Sequence, residues 1–506
     1  MSEPLLISDK EVTIAQLVDV AHRRIDVQLS DDPTWRDTLL RGRKVLEDAA
    51  YSGQIIYGVN TGFGRTSRRH IEQAHASLQQ NLIRMHGCGV GPFLSPVEAR
   101  AIMVCRLVCL AKGYSGIRPQ LLEALCDAIN AGITPAIPSF GSVGASGDLT
   151  PLSYLGAMLT GERQAHYNGE LMSSADALKR AGLKPFTFAI REGLALINGT
   201  SMMTALAALL VKRTERVLAL AERASAIALE MVDGRPEAMH PTIHKVKPHP
   251  GQRLAAANIK QHIEGSQFTT HSQSNGREVQ DRYSIRCAPH LIGATRDALT
   301  WVTQNVHTEL NSVNDNPIVD PDTAEILNGG NFYGGHIALS MDLLKISLGN
   351  VLNLFDRQFA LLIGDAVPQL PETMLPQEWV PQEEQGLHHG LKALQITVSS
   401  LTALAHQRTL SDTLMSRQTE CDNQDVVSMG TNASLNARSC LEFCELGLSA
   451  WLLALSQSVG IRGDEKLSPA GQALVHQIRE HVPLVTQDRP LDQDVQSILT
   501  NILHQV

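Results

Sequence analysis

Residues 205–231 read ALAALLVKRTERVLALAERASAIALEM, and this stretch decides the fold class of the chain. Its apolar residues recur at spacings of three and four, while charged residues fill positions between them. A helix with this period buries one continuous apolar face and exposes the other. The apolar positions are Leu206, Leu210, Val217, Leu220, Ala224, Ile227 and Met231. The stretch therefore predicts one long amphipathic helix.

Four more segments repeat this pattern, so that five long helices can lie side by side as a bundle. These segments cover residues 286–311, 332–363, 387–416 and 432–459. Strand signals are short, and they occur at Gln54–Val59, around the Asn168-Gly169 pair and across Ile318–Leu327. We predict a mainly α fold with a long-helix bundle core over residues 201–506. A smaller N-terminal α+β region is expected over residues 1–200.

Composition limits the functions that the chain can have. The 506 residues include 43 lysines and arginines against 52 aspartates and glutamates, which gives a net charge of −9. The sequence has no basic tail or long cationic run, so nucleic acid is not an expected partner. Its first twenty residues lack the basic start and apolar core of a signal peptide, and no uncharged apolar stretch reaches 18 residues. These features predict a soluble cytoplasmic protein with no membrane partner.

The cysteines and histidines do not form a metal-binding motif. The eight cysteines include no CxxC pair, and four of them have i,i+4 spacing in apolar surroundings, which is typical of core packing. Those four are Cys105, Cys109, Cys440 and Cys444. His240, His244 and His249 are close in sequence, but prolines between them break any shared helical face. We therefore expect no metal site.

A glycine-rich run, GSVGASGDLTPLSYLG, occupies residues 141–156. At its centre, Ala145, Ser146 and Gly147 have the residue types that backbone cyclisation needs. Attack of the Gly147 amide nitrogen on the Ala145 carbonyl carbon closes a five-membered ring, since Gly147 has no Cβ to block the approach. Loss of two water molecules, one of which contains the Ser146 hydroxyl, leaves an exocyclic methylene. The product, 4-methylideneimidazole-5-one (MIO), is an electrophile that no ordinary side chain supplies. The tripeptide alone is more typical of a plain turn, since Ala, Ser and Gly are common residues.

The surrounding run, with Gly141, Gly144, Asp148 and Pro151 at fixed positions, resembles the MIO-dependent aromatic amino acid ammonia-lyases and aminomutases. This family includes histidine, phenylalanine and tyrosine ammonia-lyases. The resemblance extends over nearly the whole chain, in several separate blocks that follow one another in the same order as in family members. It implies a homotetramer with a central helical bundle, active sites shared between subunits, and no external cofactor.

The same resemblance assigns roles near the electrophile. In the block YGVNTGFG, Tyr57 matches a catalytic acid/base on a loop over the site. A phenol with a pKa near ~10 is a weak base at neutral pH unless a cation, helix N-terminus or hydrogen-bond donor stabilises its anion. In EGLALINGT, Asn198 matches an asparagine beside the MIO ring and the substrate carboxylate. Without the resemblance, Tyr57 is also compatible with a half-buried strand residue, and Asn198 with a residue that caps or kinks a helix.

Two further blocks complete the implied site. In QDRYSIR, Arg286 matches the arginine that binds the substrate carboxylate, a task suited to a planar guanidinium. In that block, Tyr283 is expected to assist near the MIO, and Gln280 to complete the polar wall. Phe332, in NGGNF, matches an aromatic residue that packs near the ring.

Two positions bear on the substrate, and they do not fully agree. Gln424 stands where histidine ammonia-lyases have a glutamate, whereas phenylalanine and tyrosine lyases have glutamine there and a glutamate at the position of Glu420. A neutral amide suits a carbocyclic ring because it avoids burying an unpaired charge. The pair Met85-His86 matches none of the familiar ring-contacting pairs. His86 has the histidine-lyase position, but it can equally bind a tyrosine hydroxyl.

These observations predict non-oxidative deamination of L-tyrosine to trans-4-coumarate and ammonium. The alternatives are a histidine ammonia-lyase that forms urocanate and an MIO-dependent aromatic 2,3-aminomutase. A fumarase/aspartase-type lyase is disfavoured, since its GSSxMPxKxN-type loop is absent from the sequence. A noncatalytic helical scaffold has no need for Ala-Ser-Gly together with Tyr57, Arg286 and Glu420.

Overall fold

The computed structural model describes residues 3–71, 76–269, 279–364 and 367–504. These residues form a mainly helical fold, which confirms the predicted fold class. The α-helices are Ile14–Ala21, Pro33–Tyr51, Ala76–Met85, Pro96–Ala111, Pro119–Ala131, Leu149–Leu159, Ser174–Arg180, Glu192–Ile197, Ser201–Met231, Pro241–Lys245, Pro250–His262, Tyr283–Arg286, Ala288–Leu310, Gly335–Ile363, Lys392–Gln407, Gly430–Arg462, Pro469–Arg479 and Asp492–Ile498. The strands are Leu5–Ile7, Val27–Leu29, Val90–Phe93, Thr134–Pro135, Pro138–Phe140, Gln164–Tyr167, Glu170–Ser173, Ile318–Val319 and Ile326–Leu327.

The fold divides into two compact units, each built from three segments of the chain. The first unit contains Met1–Lys212, Val302–Asp342 and Ser411–Leu435. The second unit contains Arg213–Trp301, Leu343–Leu410 and Asn436–Val506. Four long helices continue from one unit into the other, so the units are not continuous stretches of sequence. The boundary near residue 200 stays a prediction about the organisation of the chain.

Four of the five long helices have nearly the predicted bounds, whereas the segment 387–416 forms a shorter helix, Lys392–Gln407. The buried Asp342 carboxylate explains the different path after residue 410. It accepts hydrogen bonds from the Ser411 hydroxyl at 2.7 Å, the Asp412 amide at 3.0 Å and the Thr413 hydroxyl at 2.6 Å. Binding to this side chain replaces the backbone bonds of a helix.

The strand predicted at Gln54–Val59 is wrong, because residues 54–56 have no regular structure and residues 57–59 form a turn. The Asn60 side chain accepts from the Ile56 amide at 2.7 Å and donates to the Gln54 carbonyl at 2.8 Å. A polar side chain thus satisfies backbone groups that would otherwise pair in a sheet. The other two strand predictions are confirmed. Asn168 and Gly169 have φ values of 50° and 82° and join the antiparallel strands of a tight hairpin, and Ile318 pairs with Leu327.

The core of the first unit centres on the helix Pro96–Ala111, in which every residue from Ala99 to Ala111 is buried. Cys105 and Cys109 lie in this core, and Cys440 and Cys444 are equally buried in the second unit. Packing explains these cysteines, as their spacing predicts.

Two helices, Gly335–Ile363 and Gly430–Arg462, are long and apolar enough to span a membrane. In their most apolar windows, however, 72% and 78% of the residues are buried inside the protein. They are therefore core helices, and their apolar composition reflects packing.

A buried ion pair joins two long helices within the second unit. Arg296 Nε and Nη2 donate to the two oxygens of Glu222 at 2.5 and 2.7 Å, and Asn258 donates to the same carboxylate at 2.8 Å. Glu222 is only 1% exposed, so these partners, and not water, stabilise its negative charge.

We predict that Arg296→Met lowers the free energy of unfolding by about 3–5 kcal/mol, because it leaves the Glu222 carboxylate buried without its counter-ion. The matched control is Arg180→Met, which removes the exposed ion pair with Glu170 and should cost less than about 1 kcal/mol. Urea unfolding followed by circular dichroism measures both values. Equal losses would show that Glu222 does not depend on Arg296.

Candidate active site

The predicted cyclisation tripeptide lies in a turn that presses directly against a second backbone segment. Gly147 has a φ of 67° and forms a parallel bridge with Gly199. A Cβ on Gly147 would lie 2.1 Å from the Gly199 carbonyl carbon, so only glycine fits here. The next amide, that of Asp148, donates to the Gly199 carbonyl at 2.7 Å. The turn is thereby fixed beside the residue that follows Asn198.

A segment before the helix Gly430–Arg462 holds the other side of the turn. The Ser428 hydroxyl donates to the Gly144 carbonyl at 3.1 Å, and the Met429 amide donates to the Val143 carbonyl at 3.0 Å. The backbone on both sides of Ala145, Ser146 and Gly147 is therefore immobilised by hydrogen bonds.

Asp148 joins these elements beneath the turn. Its buried carboxylate accepts from the Met203 amide at 2.9 Å, from the Ser142 hydroxyl at 3.3 Å and from the Thr431 hydroxyl. Burial raises the pKa of Asp148 to about 6, although these hydrogen bonds act in the opposite direction. Met203 lies in the first turn of the helix Ser201–Met231, so Asp148 ties the turn to the start of that helix.

Gln424 contacts the central serine. Its Nε2 donates to Ser146 Oγ at 3.2 Å, and its Oε1 accepts from the Thr419 hydroxyl at 2.7 Å. Both partners are hydroxyl groups, which can donate as well as accept, so the Gln424 amide can bond both of them. A neutral donor group therefore lies beside the candidate electrophile.

Tyr57 and Glu420 meet around the loop that follows Tyr57. The Gly64 amide donates to the Tyr57 hydroxyl oxygen at 2.9 Å. The next amide, that of Arg65, donates to Glu420 Oε2 at 2.8 Å, and the Arg65 guanidinium donates to the Cys421 carbonyl at 2.9 Å. Glu420 thus holds the Tyr57 loop in this arrangement.

Burial raises the pKa of the Tyr57 phenol, and the Glu420 charge raises it further. The Gly64 amide and the Arg191 guanidinium lower this pKa, so the hydrogen-bond donor and the cation that a tyrosine base requires are both present. Burial outweighs them, and Tyr57 is a neutral phenol in this structure.

Asn198 lies above a buried charged cluster. It is 3% exposed, and its amide donates to the Asn316 carbonyl at 2.9 Å and to Asp315 at 3.3 Å. The Asp315 carboxylate pairs with Arg191 at 2.8 Å, and both side chains are fully buried. This ion pair fixes the Asn198 amide beside the turn.

His86 follows the helix Ala76–Met85, whose last residue, Met85, is 63% exposed. His86 Nδ1 lies 3.0 Å from the Leu82 carbonyl, which can only accept, so Nδ1 carries the hydrogen. Burial lowers the pKa of His86, and the Arg163 charge lowers it further. The ring is therefore neutral and its Nε2 is an acceptor. Three residues on, Gly89 packs against Gly141 at the start of the turn.

The remaining predicted residues divide between the two units. Half-buried Phe332 belongs to the first unit, in a loop whose Gly334 packs against Met203. Gln280, Tyr283 and Arg286 belong to the second unit. There, Gln280 is exposed and the Arg286 guanidinium lies 4.6 Å from the centre of the Tyr283 ring.

Arg286 Nε is buried with no hydrogen-bond partner among the residues that the structure describes. The histidines near residue 244 have structural partners instead. His244 Nε2 donates to the Ala238 carbonyl and its Nδ1 accepts from Gln252, both at 3.0 Å. Within the described ranges, no three metal-ligating side chains cluster.

The sequence motifs do not single out several residues that support the site, among them Gln79, Arg65, Arg163, Arg191 and Thr419. Most of them act on backbone groups distant in sequence, which no local motif reveals. Gln79 had one signal, since it shares the apolar face of its helix with Leu82 and Ile83. A polar side chain on a buried face indicates a buried hydrogen bond.

Comparisons with known proteins identify the family of this chain. The family model for aromatic amino acid lyases matches residues 12–480. A histidine ammonia-lyase of Caldanaerobacter subterraneus subsp. tengcongensis is 35% identical over 496 residues, which cover 97% of this chain and 95% of the relative. The tyrosine aminomutase structure from Streptomyces globisporus is 34% identical with a TM-score of 0.91, over 99% of this chain and 97% of that one.

A histidine ammonia-lyase structure from Trypanosoma cruzi is 28% identical with a TM-score of 0.88, over 99% of this chain and 93% of that one. The relatives thus include both lyases and aminomutases, with different named substrates. Sequence and fold agree, and the chain belongs to the MIO-dependent aromatic amino acid lyase family as a carbon–nitrogen lyase.

Proposed function

We propose that this protein eliminates ammonia from L-tyrosine to form trans-4-coumarate. The observation that carries the proposal is the neutral Gln424 amide 3.2 Å from Ser146 Oγ. An imidazole N–H at this place is best matched by a carboxylate, whereas a carbocyclic ring would leave a carboxylate unpaired.

The tripeptide fits an MIO group formed from the chain itself. The positive φ of Gly147, its contact with Gly199 and the bonded backbone on both sides hold a compact turn in one conformation. When formed, the group supplies an electrophile for the substrate amino group, with no external cofactor. Gln424 and Asn198 would lie beside it.

Tyr57 is proposed to remove the β-proton of the substrate. That proton is only weakly acidic, so alignment of the base with the C–H bond must lower much of the barrier. The Gly64 amide would stabilise the phenolate by donating to its oxygen. Glu420 would hold the loop that carries this amide.

Arg286 is proposed to bind the substrate carboxylate through paired hydrogen bonds, with Asn198 and Gln280 as further polar partners and Tyr283 assisting near the MIO. The buried Arg286 Nε supports this role, because a guanidinium N–H without a partner is a ready donor for an anion. From the family resemblance we also propose a homotetramer whose active sites are shared between subunits.

The ring end of the site would be formed by Met85, His86 and Phe332. The His86 Nε2 acceptor suits the hydroxyl donor of tyrosine. Phenylalanine would leave this acceptor without a partner. We further propose that the enzyme acts in the cytoplasm.

Histidine is the second candidate substrate, because histidine ammonia-lyases stand among the most similar relatives and an imidazole N–H also suits His86 Nε2. A 2,3-aminomutase activity is a third candidate, given the tyrosine aminomutase structure. Product identity separates all three.

We predict that the intact mass of the purified, denatured chain is lower than its sequence mass by two water molecules, because cyclisation and dehydration each remove one. Ser146→Ala lacks the hydroxyl that must leave, so it should form no methylene and lose nearly all activity. Mass spectrometry and a coumarate absorbance assay check both. A full sequence mass with undiminished turnover would refute the MIO mechanism.

Tyr57→Phe should lower kcat at least about 100-fold, because it keeps the ring but removes the titrating hydroxyl. Since burial raises the pKa of Tyr57, wild-type kcat should rise with pH through the neutral range as more phenolate forms. This rise should disappear in the variant. The matched control is Tyr51→Phe, at an 80% exposed tyrosine, which should leave kcat unchanged. Wild-type kcat in Tyr57→Phe would assign the base elsewhere, with Tyr283 first to test.

His86→Leu should lower kcat/KM for tyrosine about 10- to 200-fold, since the phenol hydroxyl loses its partner at a cost of roughly 1–3 kcal/mol. The value for phenylalanine should hold or rise, because phenylalanine has no hydroxyl. Steady-state kinetics with tyrosine, phenylalanine and histidine measure the change in preference. Wild-type preference for histidine, or an unchanged tyrosine-to-phenylalanine ratio, would contradict the role of His86.

A further inference from the structure

Gln79 is a fully buried glutamine on the helix Ala76–Met85. Its neighbours on the buried face, Leu82 and Ile83, are apolar, so its amide lies in the interior of the first unit. A buried amide is tolerated only where both its donor and its acceptor find partners.

Both partners are backbone groups of other segments. Gln79 Nε2 donates to the Gly58 carbonyl at 2.8 Å, and its Oε1 accepts from the Leu194 amide at 2.9 Å. Gly58 directly follows Tyr57. Leu194 is the third residue of the helix Glu192–Ile197, so its amide has no partner within that helix. Asn198 is the residue that ends the same helix.

Close packing makes this bridge rigid. A Cβ on Gly193 would lie 2.8 Å from both the Cβ and the carbonyl oxygen of Gln79. Gly58 has a φ of 69°, and a Cβ there would lie 2.4 Å from the Leu194 side chain. The two glycines let the three segments approach closely enough for one side chain to span them.

We propose that Gln79 is a positioning residue that holds the Tyr57 hydroxyl in register with Asn198. It has no direct role in binding substrate. The proposal rests on the proposed function, in which Tyr57 is the base.

Gln79→Met is the direct test, because methionine has a similar length but neither hydrogen bond. The Gly58 carbonyl and the Leu194 amide lose their partners, and the turn that carries Tyr57 is free to shift. Small displacements of a catalytic group are costly, so kcat should fall on the order of 10- to 100-fold.

A double-mutant cycle separates positioning from a general loss of structure. If Gln79 acts through Tyr57, Gln79→Met should lower kcat by less than about 2-fold in a Tyr57→Phe background. A purely structural role predicts the same fold-loss in both backgrounds, and this result would overturn the proposal.

Two further variants keep the test decisive. Gln80→Met is the matched control, since the Gln80 amide bonds Thr160 and Glu162 instead, and it should keep wild-type kcat. Gln79→Glu serves if the methionine variant does not fold. It keeps the shape and an acceptor for Leu194, and burial favours its neutral form, which can still donate to Gly58, so kcat relative to the wild type should fall only as rising pH ionises the carboxyl.

The outcomes also separate this proposal from the proposed function. Wild-type kcat in Gln79→Met, with a large loss in Tyr57→Phe, would overturn the role of Gln79 alone. Wild-type kcat in Tyr57→Phe would overturn the base assignment and, with it, any action of Gln79 through Tyr57.

Discussion

The backbone contact between Gly147 and Gly199 is the constraint on which the rest of the site depends. It brings the candidate electrophile against the junction between the helix Glu192–Ile197 and the helix Ser201–Met231. Asp148, the residue after Gly147, strengthens this contact. Its amide donates to the Gly199 carbonyl, and its carboxylate accepts from the Met203 amide. The turn and the start of a long helix therefore form one rigid element, in which neither segment can move without the other.

Charge is arranged around this element in two layers. Gln424 and Asn198, which lie beside the turn, are neutral amides, while the Asp148 carboxyl is buried beneath the turn itself. Beneath them, Arg191 and Asp315 form a fully buried pair, in which each charge is tolerated only because the other is present. The buried pair orients Asn198 and contributes a cation near Tyr57.

The fold class and most of the long helices could be predicted because helical periodicity is a local property of the sequence. The local environment of Tyr57 could not. A short apolar run such as Gln54–Val59 is compatible with a strand, and only the Asn60 side chain diverts it into a turn. The same limit applies to the path of the chain after residue 410, since Asp342 acts from about seventy residues away. Motif resemblance identified residues such as Ser146 and Gln424, which the fold brings together. Their supports, Gln79 and Arg65, lie outside those motifs and act on backbone groups distant in sequence.

The relatives leave the substrate open, since their names include histidine and tyrosine, lyase and aminomutase. One competition experiment tests the assigned reaction and its substrate together. The purified wild-type protein is incubated with equal concentrations of L-tyrosine, L-histidine and L-phenylalanine, and the first products are identified by liquid chromatography and mass spectrometry. We expect trans-4-coumarate to form first, with equimolar ammonium. Urocanate as the first product would contradict the assigned substrate, and β-tyrosine without ammonium would contradict elimination.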